Sequence, residues 1–135
     1  GREQFPKRYV KLTLRLLEQL KESMPEYMVN ELFSQMALDL AEDHKNELDG
    51  LNVEEKLDLV QDLLNQEGFT ANWERKGGTY QIHEASCPYI HIGQDHPEVC
   101  SVDQTLISTI LEVPAKKIKC KLSGDSHCTF IITDL

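Results

Sequence analysis

The spacing of hydrophobic residues changes at Gly68, and this change limits the folds that are open to the chain. Before Gly68, apolar residues recur every three or four positions, as on one face of an α-helix. After Gly68, apolar and polar residues alternate, as in β-strands with one buried face. The patterns follow one another as three helices, a hairpin, a fourth helix and a second hairpin. We therefore expect an α+β fold, in which N-terminal helices pack on an antiparallel sheet of two β-hairpins with one intervening helix.

The first two predicted helices differ in their apolar faces. Residues 7–21 carry apolar side chains on more than one side, which favours contact with a second subunit as well as with the chain's own core. Ser23 and Glu26 have the spacing of a capping box and predict the start of a second helix. The buried face of that helix is predicted from residues that recur every four positions: Met28, Leu32, Met36 and Leu40.

Further capping and turn signals predict the remaining elements. Asn52 and Glu55 have capping-box spacing at the start of a third helix, and Gly77-Gly78 supplies the turn of the first hairpin. The fourth helix is predicted to begin between Asp95 and Glu98 and to end before Pro114, with Val102, Leu106 and Ile110 in the core.

Charge and hydropathy exclude several classes of function. The net charge of -9 argues against nucleic-acid binding by this chain alone, although residues 2–15 hold five basic residues and one acidic residue. No segment approaches the 18 apolar residues of a membrane span, and no signal peptide is recognisable. We therefore expect a cytoplasmic protein with no membrane association. Neither a hydrolase motif nor a glycine-rich phosphate loop occurs, so we do not expect an enzyme.

The four cysteines all lie in the last third of the chain, at Cys87, Cys100, Cys120 and Cys128. In a reducing cytosol, clustered thiols bind metal or carry out redox chemistry more often than they form structural disulfides. Their spacing lacks the paired C-x2-C pattern of zinc ribbons and the close cysteine run of bacterial ferredoxins. Two interpretations therefore stay open from spacing alone: one metal or cluster site, or buried thiols that serve as small apolar residues.

The predicted second hairpin brings two of these thiols together. If the turn of this hairpin is centred on Gly124, Cys120 and Cys128 are opposite each other on the two strands. Both are then expected to face the core, as are Ile118 and Leu122. Cys100 lies at the predicted start of a helix, where the helix dipole favours a thiolate.

Three stretches of the sequence resemble the effector domain of SufR-type, iron–sulfur-responsive repressors: residues 87–89 (CPY), 96–100 (HPEVC) and 124–132 (GDSHCTFII). The helix over residues 9–20 also resembles the segment that follows the winged helix-turn-helix of that family. The resemblance implies a domain that dimerises, binds an iron–sulfur cluster and controls an N-terminal DNA-binding domain absent from this chain. It divides the chain into a dimerisation or linker helix, residues 1–22, and a sensor domain, residues 23–135.

The resemblance also implies a ligand set. The cluster cysteines of the family correspond to Cys87, Cys100 and Cys128, whereas Cys120 does not match its fourth cysteine cleanly. The fourth ligand is then Cys120, an exogenous group, or a histidine among His91, His96 and His127. The partners implied are a second copy of the chain and, through the missing domain, DNA.

A second resemblance leads to an alternative. The pattern from Cys120 through Gly124-Asp125 to Cys128 and Phe130 is also similar to vinyl-reductase-type domains. That similarity implies a sensor module that binds zinc or a small apolar molecule. A redox enzyme that uses a cysteine pair is a third hypothesis.

Overall fold

The computed structural model describes residues 7–87, 90–93, 95–96 and 100–133, and the side chains of residues 7–10 and 91 are not described. Its helices are α1 (Lys7–Ser23), α2 (Glu26–Asp43), α3 (Lys45–Leu48), α4 (Val53–Gln66), α5 (Ile90–Gly93) and α6 (Ser101–Leu111). Its strands are β1 (Thr70–Lys76), β2 (Thr79–Ser86), β3 (Lys116–Lys119) and β4 (Cys128–Ile132). None of the helices in these ranges is long and apolar enough to cross a membrane.

The strands form an antiparallel sheet in the order β1-β2-β4-β3. The two hairpins are therefore joined through their second strands, and β3 lies at an edge. The expected α+β fold, with helices preceding the sheet and a helix between the hairpins, is confirmed.

The core lies between the sheet and helices α2, α4 and α6. The inward positions of the two central strands, Ile82, Phe130 and Ile132, pack with apolar residues of α4 and α6. The predicted core positions of α6 are confirmed, because Val102, Leu106 and Ile110 are all buried. A smaller cluster, formed by Leu17 and Ile92 with half-buried neighbours, attaches α1 to the rest of the chain.

Two of the predicted local features of α4 and β1–β2 are confirmed. The side chain of Asn52 accepts a hydrogen bond of 2.9 Å from the Glu55 N–H, and the Glu55 carboxylate accepts one of 2.9 Å from the Asn52 N–H. Gly77, at a φ of 65°, turns the chain between β1 and β2. Both features depend on residues that are close in sequence, so packing against the rest of the fold did not alter them.

The start and the buried face of α2 were predicted wrongly. Pro25 is the N-cap of the helix, and no side chain caps it there, so Ser23 does not form the expected capping box. The buried residues are Val29, Ala37 and Ala41. The stripe expected to be buried is instead exposed at Met28, Leu32 and Met36, because small residues let a different side of α2 approach the core.

The start of α6 also differs from the prediction. The helix begins at Ser101, with Cys100 as its N-cap, and the short helix α5 precedes it. Residues 97–99, which include the predicted capping residue Glu98, lie outside the described part of the chain. The helix ends at Leu111, before Pro114 as expected, and Glu112 takes a left-handed conformation with a φ of 60°.

Candidate metal centre

The four cysteines come from four different segments of the chain. Cys87 follows β2, Cys100 is the N-cap of α6, Cys120 follows β3 and Cys128 is the first residue of β4. All four line a single cavity of about 10 Å³, and all are present as thiols. A volume of this size holds about one water-sized group. The fold thus brings together side chains that are spread over 42 positions of the sequence.

A tight turn holds Cys120 beside β4. Its N–H donates a 2.8 Å hydrogen bond to Oδ2 of Asp125, and its carbonyl accepts one of 3.2 Å from the Asp125 N–H. Gly124 makes this turn possible, since its φ of 100° is unfavourable for residues with a side chain. Next to Cys120, the N–H of Lys121 donates to the Cys128 sulfur at 3.3 Å.

The predicted second hairpin is correct in its strands but wrong in part of its register. Lys119 pairs with Thr129, whereas Lys117 pairs with Phe130, so an irregularity separates them. Because of this irregularity, Ile118 faces outward and is exposed. Leu122, also expected to face inward, lies in a 3₁₀ turn (Lys121–Ser123) and is exposed.

Two thiols of the cavity, those of Cys100 and Cys128, resist ionisation. Burial raises the pKa of the Cys100 thiol to about 11, and burial also raises the pKa of Cys128. The thiolate expected at the start of α6 is therefore not favoured in the metal-free chain, because the cost of burial exceeds the effect of the helix terminus.

Three charged side chains, Asp103, Lys117 and Lys121, line the cavity together with the cysteines. Burial by itself lowers the pKa of Lys117, but Asp103 and the nearby thiols together raise it. The Lys117 ammonium also lies 5.3 Å from the ring centroid of Phe130. A cation is thus held beside the thiols, in a position to offset negative charge on sulfur.

Glu84 is a buried acid of this region that the sequence analysis did not single out. It pairs with Cys128 across β2 and β4, and its exposed fraction is 0%. Burial and the nearby Asp103 carboxyl raise the pKa of Glu84 to about 10, so this side chain is protonated at neutral pH. Neither of its carboxyl oxygens has a well-formed hydrogen bond within the described ranges. Glu84 follows Ile82 by two residues in β2, so both side chains face the core. This alternation could have identified Glu84 from the sequence.

Of the candidate histidine ligands, His96 and His127 do not line the cavity. His96 is buried elsewhere, with its Nδ1 atom 3.2 Å from the Lys21 ammonium. His127 packs edge-on against His83, with 5.4 Å between ring centroids. The side chain of His91 lies outside the described part of the structure.

The four cysteines line one cavity, but they are not positioned to coordinate a metal ion. Among the residues that the structure describes, no group of three or more cysteine, histidine, aspartate or glutamate side chains is arranged to hold a metal ion. A metal at this site therefore requires the cysteines to move closer together.

Comparison with known proteins shows a fold relationship. No family model matches the chain, and no curated protein does. A crystal structure of trafficking protein particle complex subunit 3 from Naegleria fowleri, covalently bound to palmitic acid, has a similar fold, with a TM-score of 0.50. The two sequences are 15% identical, and the match covers 93% of this chain and 92% of the other.

These findings contradict the assignment to SufR-type repressors. The structural neighbour is a subunit of a trafficking complex, which belongs to a different class from iron–sulfur-responsive transcriptional regulators. The predicted role as the effector domain of a repressor, with DNA bound through a missing domain, was therefore wrong. The short motifs around Cys87, Cys100 and Cys128 were too limited a basis for a family assignment.

Proposed function

We propose that this chain is a binding module, not an enzyme, and that its four cysteines hold one zinc ion. The observation that supports this proposal is the convergence of Cys87, Cys100, Cys120 and Cys128 on a single small cavity. Thiolates are preferred ligands of zinc, and a structural zinc site takes four ligands in a tetrahedron. The ligands come from four segments, so the ion joins the end of β2, the start of α6 and the β3–β4 hairpin.

Of the charges around the cavity, the Lys117 ammonium stabilises thiolates, whereas the Asp103 carboxylate disfavours them. Four thiolates and one Zn²⁺ carry a formal charge of about -2, which a neighbouring cation stabilises. Lys117 lines the same cavity and is half-buried, so solvent screens its charge only in part. Lys121 also lines the cavity, and its ammonium donates a 2.8 Å hydrogen bond to the Ala85 carbonyl.

The size of the cavity favours an ion over a larger ligand. The neighbour's bound palmitic acid raises the alternative that a cysteine of this chain carries an acyl chain. A cavity of about 10 Å³ has no room for a fatty acid, however, and it has none for an organic substrate beside a catalytic group. A single metal ion matches the number of sulfur atoms, and it binds when the four cysteines move closer together.

A zinc site of this kind also fits a cytoplasmic location. Cysteine ligands must stay reduced, and a reducing compartment keeps them so.

Zinc titration of the chain tests the proposal. Protein prepared under reducing conditions and stripped with a chelator should bind one Zn²⁺ per chain, and Co²⁺ should give the absorption spectrum of a tetrahedral thiolate site. The single variants Cys87→Ser, Cys100→Ser, Cys120→Ser and Cys128→Ser should each weaken binding, whereas Ser123→Ala is a control that should leave it unchanged. Failure to bind Zn²⁺, or binding unaffected by these four changes, would contradict the proposal.

We also propose that the partner of the chain is a second copy of itself, with α1 as the dimerisation helix. Leu12 and Leu16 of α1 are 53% and 57% exposed, and α2 exposes Met28, Leu32 and Met36. A run of large apolar side chains on neighbouring helices is typical of an interface with another protein.

A further inference from the structure

We propose that α1 of one copy packs antiparallel on α2 of the other, in a two-fold symmetric dimer held by apolar stripes and matched charges. This inference rests on the homodimer proposed above and specifies its interface. It is independent of the zinc site.

Each helix carries an exposed apolar stripe on the side turned away from its buried residues. On α1 the stripe is Leu12 and Leu16, whereas Leu17 faces the small cluster with Ile92. On α2 the stripe is Met28, Leu32 and Met36, four residues apart and therefore along one side of the helix. These two stripes are the surfaces that the dimer buries.

The surface of α2 also has a place for a side chain from the partner. Met24, Met28 and Leu32, with the polar residues Glu31 and Gln35, line a groove of about 270 Å³. A leucine from an opposing helix fits such a groove in the manner of ridge-into-groove packing.

The charges on the two helices are opposite in sign. The sequence of α1 holds five basic and two acidic residues, whereas that of α2 holds five acidic residues and no lysine or arginine. Two copies of α1, or two copies of α2, would therefore repel each other. Contact between α1 and the partner's α2 is attractive, and it selects this pairing over the like-with-like alternatives.

The positions of the charges select the direction of packing. Lys11 and Arg15 each precede a stripe leucine by one residue, so they flank that stripe on one side, about 100° around the helix. Glu31 precedes Leu32 by one residue and therefore lies on the same-handed side of the α2 stripe, whereas Asp39 lies in line with the stripe, three residues after Met36; both acids are exposed. When two helices pack face to face and run in opposite directions, the residues that precede each stripe by one position lie on the same side of the contact in both helices. In a parallel arrangement Glu31 would be on the opposite side of the contact from Lys11 and Arg15.

Two-fold symmetry then makes the contact twice. If α1 of the first copy meets α2 of the second, the symmetry places α1 of the second on α2 of the first. Both apolar stripes of both copies are covered, and no stripe is left over to bind further copies. The assembly closes as a dimer.

Charge reversal tests the pairing in the whole chain. One variant, Lys11→Glu with Arg15→Glu, makes α1 acidic, and a second, Glu31→Lys with Asp39→Lys, makes α2 basic. Sedimentation velocity should show that each weakens the dimer by about tenfold or more, because like charges then face each other. The variant that combines all four changes should dimerise as the unmodified chain does.

A matched control separates this result from general effects of charge. Asp62→Lys with Glu67→Lys changes one exposed acid on α4 and the exposed acid that caps its C-terminus, away from both stripes, and should leave the dimer unchanged. The α1–α2 pairing would be overturned if none of the reversals affected the dimer, or if the variant with all four changes stayed monomeric. Either result would leave the homodimer proposal standing. If the unmodified chain were monomeric at every concentration measured, both the pairing and the homodimer proposal would be overturned.

Discussion

Glu84 shows how one buried group makes the stability of this protein depend on pH. Burial and the Asp103 carboxyl raise its pKa from 4.5 to about 10, so the folded chain holds a proton that the unfolded chain releases. Below pH 4.5 the group is protonated in both the folded and the unfolded state, so it does not make the free energy of unfolding depend on pH there. Between pH 4.5 and about 10, the unfolded state loses its proton first, and the free energy of unfolding falls as the pH rises.

Glu84→Gln tests this dependence by replacing the protonated acid with a neutral side chain of the same shape. The variant should unfold at nearly the same denaturant concentration as the unmodified chain near pH 5. It should become relatively more stable by up to about 1.4 kcal/mol for each pH unit above that. Urea unfolding across this range measures the difference, with Glu67→Gln as the exposed control. Parallel pH profiles for the unmodified chain and Glu84→Gln would contradict the assignment.

At the scale of elements, the N-terminus of α4 depends on a reciprocal cap. Asn52 and Glu55 each satisfy a backbone N–H of the other, which would otherwise be left without a partner in the helix. Asn52→Ala should therefore lower the free energy of unfolding by about 1 kcal/mol, as judged by urea denaturation. Asn46→Ala, at an exposed position in α3, is the control. Equal effects of the two changes would mean that the cap contributes nothing.

The turn between β3 and β4 positions Cys120, so it should affect the metal site without supplying a ligand. Asp125→Ala removes the acceptor of the Cys120 N–H and frees the turn. Zn²⁺ affinity should fall by about tenfold to a hundredfold, the usual effect of losing a group that orients a ligand. Competition with a chromophoric chelator measures this, with Ser126→Ala in the same loop for comparison. An unchanged affinity in Asp125→Ala would show that the turn does not orient the ligand.

For the whole molecule, zinc binding should appear as added stability. The proposed ligands join α6 to the sheet, and they converge only when the chain is folded, so the free energy of binding adds to that of folding. At a free Zn²⁺ concentration about 100 times the dissociation constant, the gain is about 2.7 kcal/mol. Thermal unfolding with and without Zn²⁺ measures it, and a chelator should reverse the gain. A variant with all four cysteines changed to serine should show no such gain.

Local features of this protein could be predicted from its sequence because neighbouring residues decide them. The capping box of α4 needs only residues three apart, and the Gly77-Gly78 turn needs only a conformation that glycine adopts easily. The change of hydrophobic spacing at Gly68 likewise separated the helices from the strands. Each of these signals acts within a few residues, so the α+β order followed from the sequence alone.

The tertiary structure alone decided which surfaces and side chains meet. The helix α2 has two apolar stripes, and only contact with the rest of the fold determined that the side with Val29 and Ala37 is buried while Met28, Leu32 and Met36 are exposed. An irregularity in β3 turned Ile118 outward, and burial reversed the ionisation expected at Cys100. The meeting of four distant cysteines at one cavity also depends on how the two hairpins join. Periodicity along a chain gives the direction of a side chain relative to its own element, and packing between elements determines what that side chain touches.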